Sequence, residues 1–368
     1  MALFSWRRRS IGAMVVKSAG ASAQGFLPSL GSTPSAAGVL ISQGTAMTDP
    51  AVYGCVSIRA EDVARCSPRL FRPLQDGSRE QILPKDHPVA KLFVRPNRLQ
   101  TWFEFCEQMH VGLLLRGNAY AVILRDERGR PSELIPVNPD AAMVLEASDG
   151  SVFYNINRVG LFQIAALRNL PQAIPAEDVL HLRGIAFNMT VGVSRIGLAR
   201  DVIGLAMALL QQAARWIRNG AFPHILLKSA KSLSDIAAKR LQAAWDALFG
   251  SIDNVGATAV LEDGIEVQEL KLTAVDLEFN NQRKQAVLDI CRFWRMPPHK
   301  IGVTEGASKL NLPQADQDYV NNTIMPDLDR WERKIERTFD LDLEGLEVDM
   351  DENALLRADI LTRINVGR

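Results

Sequence analysis

Two adjacent prolines, Pro297 and Pro298, divide a long helical pattern in the last third of the chain. Neither can donate a backbone hydrogen bond, and a proline pushes the residue before it out of helical dihedrals, so a helix running into this pair is predicted to end near Met296. Upstream, Phe279, Ala286, Ile290 and Phe293 recur on one face of a 3.6-residue period, with Asn281, Lys284, Arg292 and Arg295 opposite. Downstream comes a loop, 299–312, and then a second helical pattern, 313–339, with its own internal Pro326. A proline there removes one bond of the ladder and clashes with the preceding turn, which predicts a kink.

From the N-terminus, residues 1–45 are rich in Ser, Gly and Ala and carry Arg7, Arg8, Arg9 and Lys17 with no acid. So little apolar surface predicts a flexible arm, either a plain disordered tail or a segment that grips a neighbour. Order is expected from Thr48, read as the N-cap of a helix with Val52, Cys55, Val56, Ala60 and Val63 on one face. Pro68 ends that helix and opens a short strand, 68–73. Thr101 and Glu104 have the spacing of a capping box for a helix that buries Phe105, Met109 and Leu113 and stops at Gly117. A hairpin follows over 119–137, then strands near 143–145, 152–156 and 179–182.

Ser194 is placed to cap a helix with Leu198, Val202, Leu205, Ala206, Leu209 and Ala213 at helical spacing, ending at Asn219-Gly220. Residues 222–272 read as a small unit: a strand at 225–228, a helix capped by Ser234 with Ile236, Leu241, Trp245 and Leu248 inward, and strands at 257–261 and 265–270. After Phe339, the acidic run 340–352 reads as a solvated face.

The chain's 42 basic and 42 acidic residues balance, which excludes a general polyanion binder. Four cysteines, with no C-x-x-C pair, read as small apolar residues on helix faces, and five scattered histidines offer no local metal motif. No metal or cofactor is expected. The run from Gly302 to Lys309 spaces its glycines one residue too closely for a phosphate-binding loop. The sequence around Ser194 is one residue too long for a nucleophile elbow. No catalytic residue is assigned. The most apolar helical stretch, 196–214, contains Arg200 and Asp201, so no membrane span is expected.

Three features in order resemble portal proteins of tailed double-stranded-DNA bacteriophages, in the family common among long-tailed phages. They are Met296-Pro297-Pro298 closing the first helix, the loop 299–312, and Met325-Pro326-Asp327-Leu328 within the second helix. Gly117-Asn118-Ala119-Tyr120 before the hairpin, and the run NGAFPHILLK after the 194–219 helix, fit the same order.

The resemblance implies an α+β portal fold: arm 1–45, wing 46–193, descending stem helix 194–221, clip 222–272, returning stem helix 273–296, tunnel loop 297–312, kinked wing helix 313–339 and a short crown 340–368. It implies a virion protein, assembled in the host cytoplasm, that forms a dodecameric ring at one capsid vertex and conducts double-stranded DNA without sequence preference. Its partners would be the large terminase subunit, the head-tail adaptor and the major capsid protein or scaffold. The tunnel-loop residues His299, Lys300, Gly302, Gly306, Ser308 and Lys309 would face DNA, with Pro297, Pro298 and Pro326 as hinges. Two basic side chains in a loop are also compatible with plain solvation. The competing function is an enzyme, or an enzyme accessory, with a site assembled from distant residues on an α+β scaffold.

Overall fold

A computed structural model of the chain describes residues 17–18, 33–218, 225–229, 236, 239–240, 243, 265–269, 273–303 and 312–355. The chain divides into two compact units, a larger one from Met1–Thr33, Ile41–Arg200 and Cys291–Arg368, and a smaller one from Pro34–Leu40 and Asp201–Ile290.

The larger unit mixes helices with antiparallel sheets. Its first long helix, Pro50–Arg65, is capped by Asp49, one residue later than the sequence suggests: the carboxylate accepts from the amides of Ala51 (3.0 Å) and Val52 (3.1 Å). Pro50 then stands at the first helical position, where the missing N–H costs nothing. Val52, Cys55, Val56, Ala60 and Val63 are all buried. The helix Trp102–Arg116 has the reciprocal capping box of Thr101 and Glu104 and ends at Gly117, whose φ of 71° is left-handed.

Strands Asn118–Arg125 and Pro131–Val137 form the expected hairpin, and Val179–Arg183 pairs on the other side of Asn118–Arg125. A second sheet pairs Ala142–Glu146 with Val152–Ile156 and the latter with Ala173–Pro175. Tyr120, Val122, Ile135, Val144, Tyr154, Ile156 and Ile174 interdigitate as its shared core. The helix Leu161–Ala166 and the strand Ala173–Pro175 have no counterpart in the sequence reading. Both are short, and neither helix nor strand periodicity develops over so few residues.

The acidic run after Phe339 is not simply a solvated face. Glu347–Met350 adds to the edge of Pro68–Pro73, whose other neighbour is Arg79–Ile82, and Val348 and Met350 turn inward. Two glutamates of the helix Met325–Thr338 accept this strand's amides, Glu336 from Val348 (2.9 Å) and Glu332 from Met350 (2.8 Å). Alternation of acid and apolar residue is a half-buried strand's pattern, and the charge concealed it.

In the smaller unit the helix Arg200–Arg218 buries Ile203, Ala206 and Leu209, and leaves Leu205 exposed. The helix capped by Ser194 is separate and short, Arg195–Leu198, and belongs to the larger unit. Residues 34–40 dock on the start of the longer helix, where Ala36 donates to Asp201 Oδ1 (2.9 Å) and Ser35 lies against Gly204. Structure therefore begins before Thr48. Strands Ile225–Ser229 and Ile265–Glu269 pair antiparallel. Ile236, expected inward, is exposed. Ser234, Leu241, Trp245, Leu248 and the expected strand 257–261 lie outside the described residues.

Candidate functional site

Within the helix–loop–helix stretch that the sequence singles out, the segment from Trp294 to Trp331 is held at both ends by buried polar contacts. The helix Thr273–Trp294 stops where Arg295 takes a left-handed φ of 52°, and the amide of Met296 reaches back to Cys291 O (2.9 Å). That is a left-handed cap of the kind glycine usually makes, with an arginine in the place of glycine. Phe293, expected on the buried face, is partly exposed; Trp294 is buried instead and donates to Leu114 O at 3.1 Å.

Pro298–Ile301 forms a single 3-10 turn, closed by Gly302 at φ 86°. Ile301 packs against the backbone of Gly54, where a Cβ would crowd it. His299 Nε2 lies 3.0 Å and Lys300 Nζ 2.9 Å from the same oxygen, Asp316 Oδ1, on the helix Leu312–Tyr319. Burial would raise the Asp316 carboxyl, but these two partners hold it below its ordinary value. The Lys300 ammonium also sits 5.3 Å from the centre of the Tyr319 ring, and Tyr319 donates to Asp62 Oδ2 at 3.1 Å. Thus His299 and Lys300 converge on one carboxylate at the foot of the loop. Gly306, Ser308 and Lys309 lie outside the described residues.

The second helix is irregular one turn before Pro326 rather than at it. Val320–Ile324 is a π-helical turn, with Met325 N–H bonded to Val320 O, and Met325–Thr338 resumes the α-helix with Pro326 in its first turn. Widening the ladder just ahead of the proline accommodates the ring and its missing donor. Thr323 Oγ1 uses this wide turn to donate to Arg295 O (3.0 Å), tying the two ends of the segment together.

Beneath lies a buried charge cluster that the sequence reading missed. Asp327 Oδ2 receives Arg59 Nε (2.7 Å) and His110 Nε2 (3.1 Å), while Oδ1 receives Arg330 Nη1 (2.8 Å). Arg59 Nη1 donates onward to Trp294 O at 2.6 Å. Trp331 Nε1 donates to His110 Nδ1 (3.3 Å), so the imidazole is neutral with its proton on Nε2. Burial pushes the His110 pKa down, against the pull of Asp327. Burial alone would raise Asp327; His110, Arg59 and Arg330 outweigh it and keep the carboxylate ionised. The signal was present in the sequence: Arg59 follows Val52, Cys55 and Val56 by seven, four and three residues, a charge on an apolar stripe that requires a buried partner.

These contacts suit a rigid mount for a loop rather than a reaction centre. Among the described residues no group of three or more His, Cys, Asp or Glu side chains is arranged to hold a metal ion, and no helix is long and apolar enough to cross a membrane. All four cysteines are buried and free.

Comparison with known proteins decides the family. A model of the family described as phage portal protein matches residues 50–368. The chain belongs to the phage portal protein family. Portal proteins are structural, and the role of DNA conduit is general to them, so the enzyme reading is set aside. The portal protein of Enterobacteria phage HK97 is 27% identical to this chain over 318 residues, covering 85% of this chain and 72% of its own length. A probable portal protein of Streptomyces phage phiC31 is 25% identical over 319 residues, covering 83% and 65%. Among solved structures, an HK97-family phage portal protein from Corynebacterium diphtheriae shares the fold at a TM-score of 0.60 and 20% identity, over 86% of this chain and 97% of that one. A chain in the neck of a native gene transfer agent particle, computed with C12 symmetry, matches at 0.60 and 21% identity, over 87% of each.

Proposed function

We propose that this portal chain closes into a head-to-tail homo-oligomeric ring, a dodecamer at one capsid vertex, through which double-stranded DNA passes during packaging and ejection. The observation that carries the ring is the neck assembly with C12 symmetry, one of whose chains shares this fold over 87% of its length. The larger unit corresponds to the wing with the kinked helix, and the smaller one to stem and clip. Within the segment expected as a short crown, 340–368, Glu347–Met350 pairs with the strand Pro68–Pro73 of the larger unit.

The loop 299–312 faces the DNA in this reading. His299 and Lys300 are engaged by Asp316 at the loop's foot, so contact with phosphates falls to the part beyond Gly302, with Lys309 as its cation. Phosphate contacts carry no base information, and a single weak one per subunit forms and breaks as DNA advances. Pro297 and Pro298 set where the loop leaves its mount, and Pro326, behind the π-helical turn Val320–Ile324, is the hinge on the returning side.

The clip, 222–272, would dock the large terminase subunit and the head-tail adaptor, and the wing the capsid protein or scaffold. The chain would thus be assembled in the host cytoplasm and carried in the virion. A clip deletion that still forms rings tests the docking: loss of adaptor and terminase binding supports it, and retention of both refutes it.

A further inference from the structure

Residues 184–193 leave the strand Val179–Arg183 and form a closed loop whose base is fixed from several sides. Gly184 N–H bonds to Gly117 O (2.8 Å), and Val193 N–H to Ile185 O (2.7 Å). The buried side chain of Asn118 accepts from the amide of Gly192 (2.7 Å) and donates to its carbonyl (2.8 Å). A Cβ at Gly117 would overlap the Val193 carbonyl, and one at Gly192 would overlap that of Gly117, so the base admits no other residue at either position. At the tip, Asn188 Oδ1 accepts from the amides of Thr190 (3.1 Å) and Val191 (2.7 Å), an Asx turn that fixes its flanks.

This ordered loop presents three large apolar side chains to solvent: Ile185 at 71% exposure, Phe187 at 72% and Met189 at 89%. Scattered exposed apolar residues are ordinary, but three on one pre-formed protrusion are the mark of an interaction site.

The loop thus sits at the end of the three-stranded sheet, beside the start of its central strand Asn118–Arg125, and further exposed apolar side chains lie along one edge of that sheet, at Pro131–Val137. Along the Pro131–Val137 edge, Pro96 O accepts from Leu134 N–H, and Asn97 donates to Leu134 O (3.0 Å). Asn97 Oδ1 accepts from the amides of Leu99 and Gln100, a second Asx turn. Around it Leu99 is 67% and Val94 64% exposed, with Phe103 also outward. Two different apolar surfaces on one subunit, one on a loop at the end of a sheet and one along that sheet's edge, are what a head-to-tail contact requires, because each copy must offer one surface to each neighbour, whereas a two-fold dimer needs a single self-complementary patch.

We propose that the loop 184–193 is the knob of the subunit interface, its Phe187 and Met189 seating on the Val94, Leu99 and Phe103 surface of the next copy of this chain. The proposal rests on the ring reading above and adds which surfaces make the contact.

The test has two arms on the full-length protein. In the first, Phe187→Ser with Met189→Ser is compared with the parent by thermal melting of the subunit and by native mass measurement. The expected result is an unchanged melting temperature and ring formation weakened by about tenfold or more, as for loss of a central interface anchor. In the second, Met189→Cys is combined with Leu99→Cys and oxidised. The native cysteines are all buried, so a ladder of covalent multimers is expected from the double variant and none from either single one. Rings of normal stability with no ladder overturn the proposal and leave the ring reading intact. A dimer from Met189→Cys alone also overturns it, by showing tip against tip. A parent chain that never forms rings overturns both.

Discussion

Arg59 and Asp327, 268 residues apart in sequence, meet at 2.7 Å in full burial, and the same guanidinium holds the carbonyl of Trp294. One side chain thereby joins the end of the helix before the loop to the start of the helix after it. Removing one partner of a buried pair leaves the other charged and unsatisfied, so Asp327→Ala is expected to cost about 3–5 kcal/mol. Arg330, which reaches the same carboxylate from the surface, should cost no more than about 1 kcal/mol when changed to Ala. Urea melts of the two variants check the contrast.

Arg295 occupies a left-handed backbone conformation that favours glycine. Its carbonyl, not its side chain, takes part in the segment's closure with Thr323. Arg295→Gly is therefore expected to stabilise the fold, by about 1 kcal/mol, because the Cβ penalty disappears while the cap's hydrogen bonds remain. Thr323→Ala should lose about 1 kcal/mol for the missing bond. Thermal melting with both signs as stated supports this geometry.

Pro326→Ala restores a donor to the ladder that the π-helical turn has been shaped around. The helix should be stabilised in isolation, while the turn that lets Thr323 reach Arg295 relaxes and ring closure suffers. Assembly equal to the parent's, measured at matched concentration, would show that the π-helical turn has no part in closure.

His181 is buried with Nε2 on Asn118 Oδ1 (3.0 Å) and Nδ1 on the Tyr154 hydroxyl (3.0 Å). Asn118 spends its amide hydrogens on two carbonyls, so its oxygen faces the imidazole and fixes a neutral ring with the proton on Nε2. Burial, then Arg183, push the His181 pKa well below 6.5, and His110 is lowered too. Between those folded values and the unfolded one near 6.5, the unfolded chain binds more protons, so stability is expected to fall as pH drops below about 6.5. His181→Gln should flatten that slope in melts taken across the window. The buried carboxyls of Asp49, Asp62 and Glu332, raised by burial, act with the opposite sign and are common to parent and variant.

Much of this was legible from periodicity. The apolar stripe of Pro50–Arg65, the capping box at Thr101, the stop at Gly117 and the end of the helix before Pro297 all follow from rules that act within a few residues. The buried cluster was not read, because nothing local says that Arg59, His110 and Asp327 share one site; only a charge on an apolar stripe hinted at it. The edge strand Glu347–Met350 was hidden by its acids, and the role of Lys300 by its partner, Asp316, lying on the next helix.

The loop's charge can be divided experimentally. Lys300→Ala, which removes one arm of a half-exposed pair with Asp316, is expected to leave DNA packaging and retention unchanged, whereas Lys309→Ala is expected to alter one of them while rings form normally. The reverse ranking would place the DNA contact at the loop's foot.

The ring itself is the claim on which the rest depends, and native mass spectrometry of the purified 40.6 kDa chain addresses it directly. The account predicts one closed species near twelve copies, matching the C12 symmetry of the related neck assembly. A folded chain that remains monomeric at high concentration would contradict it.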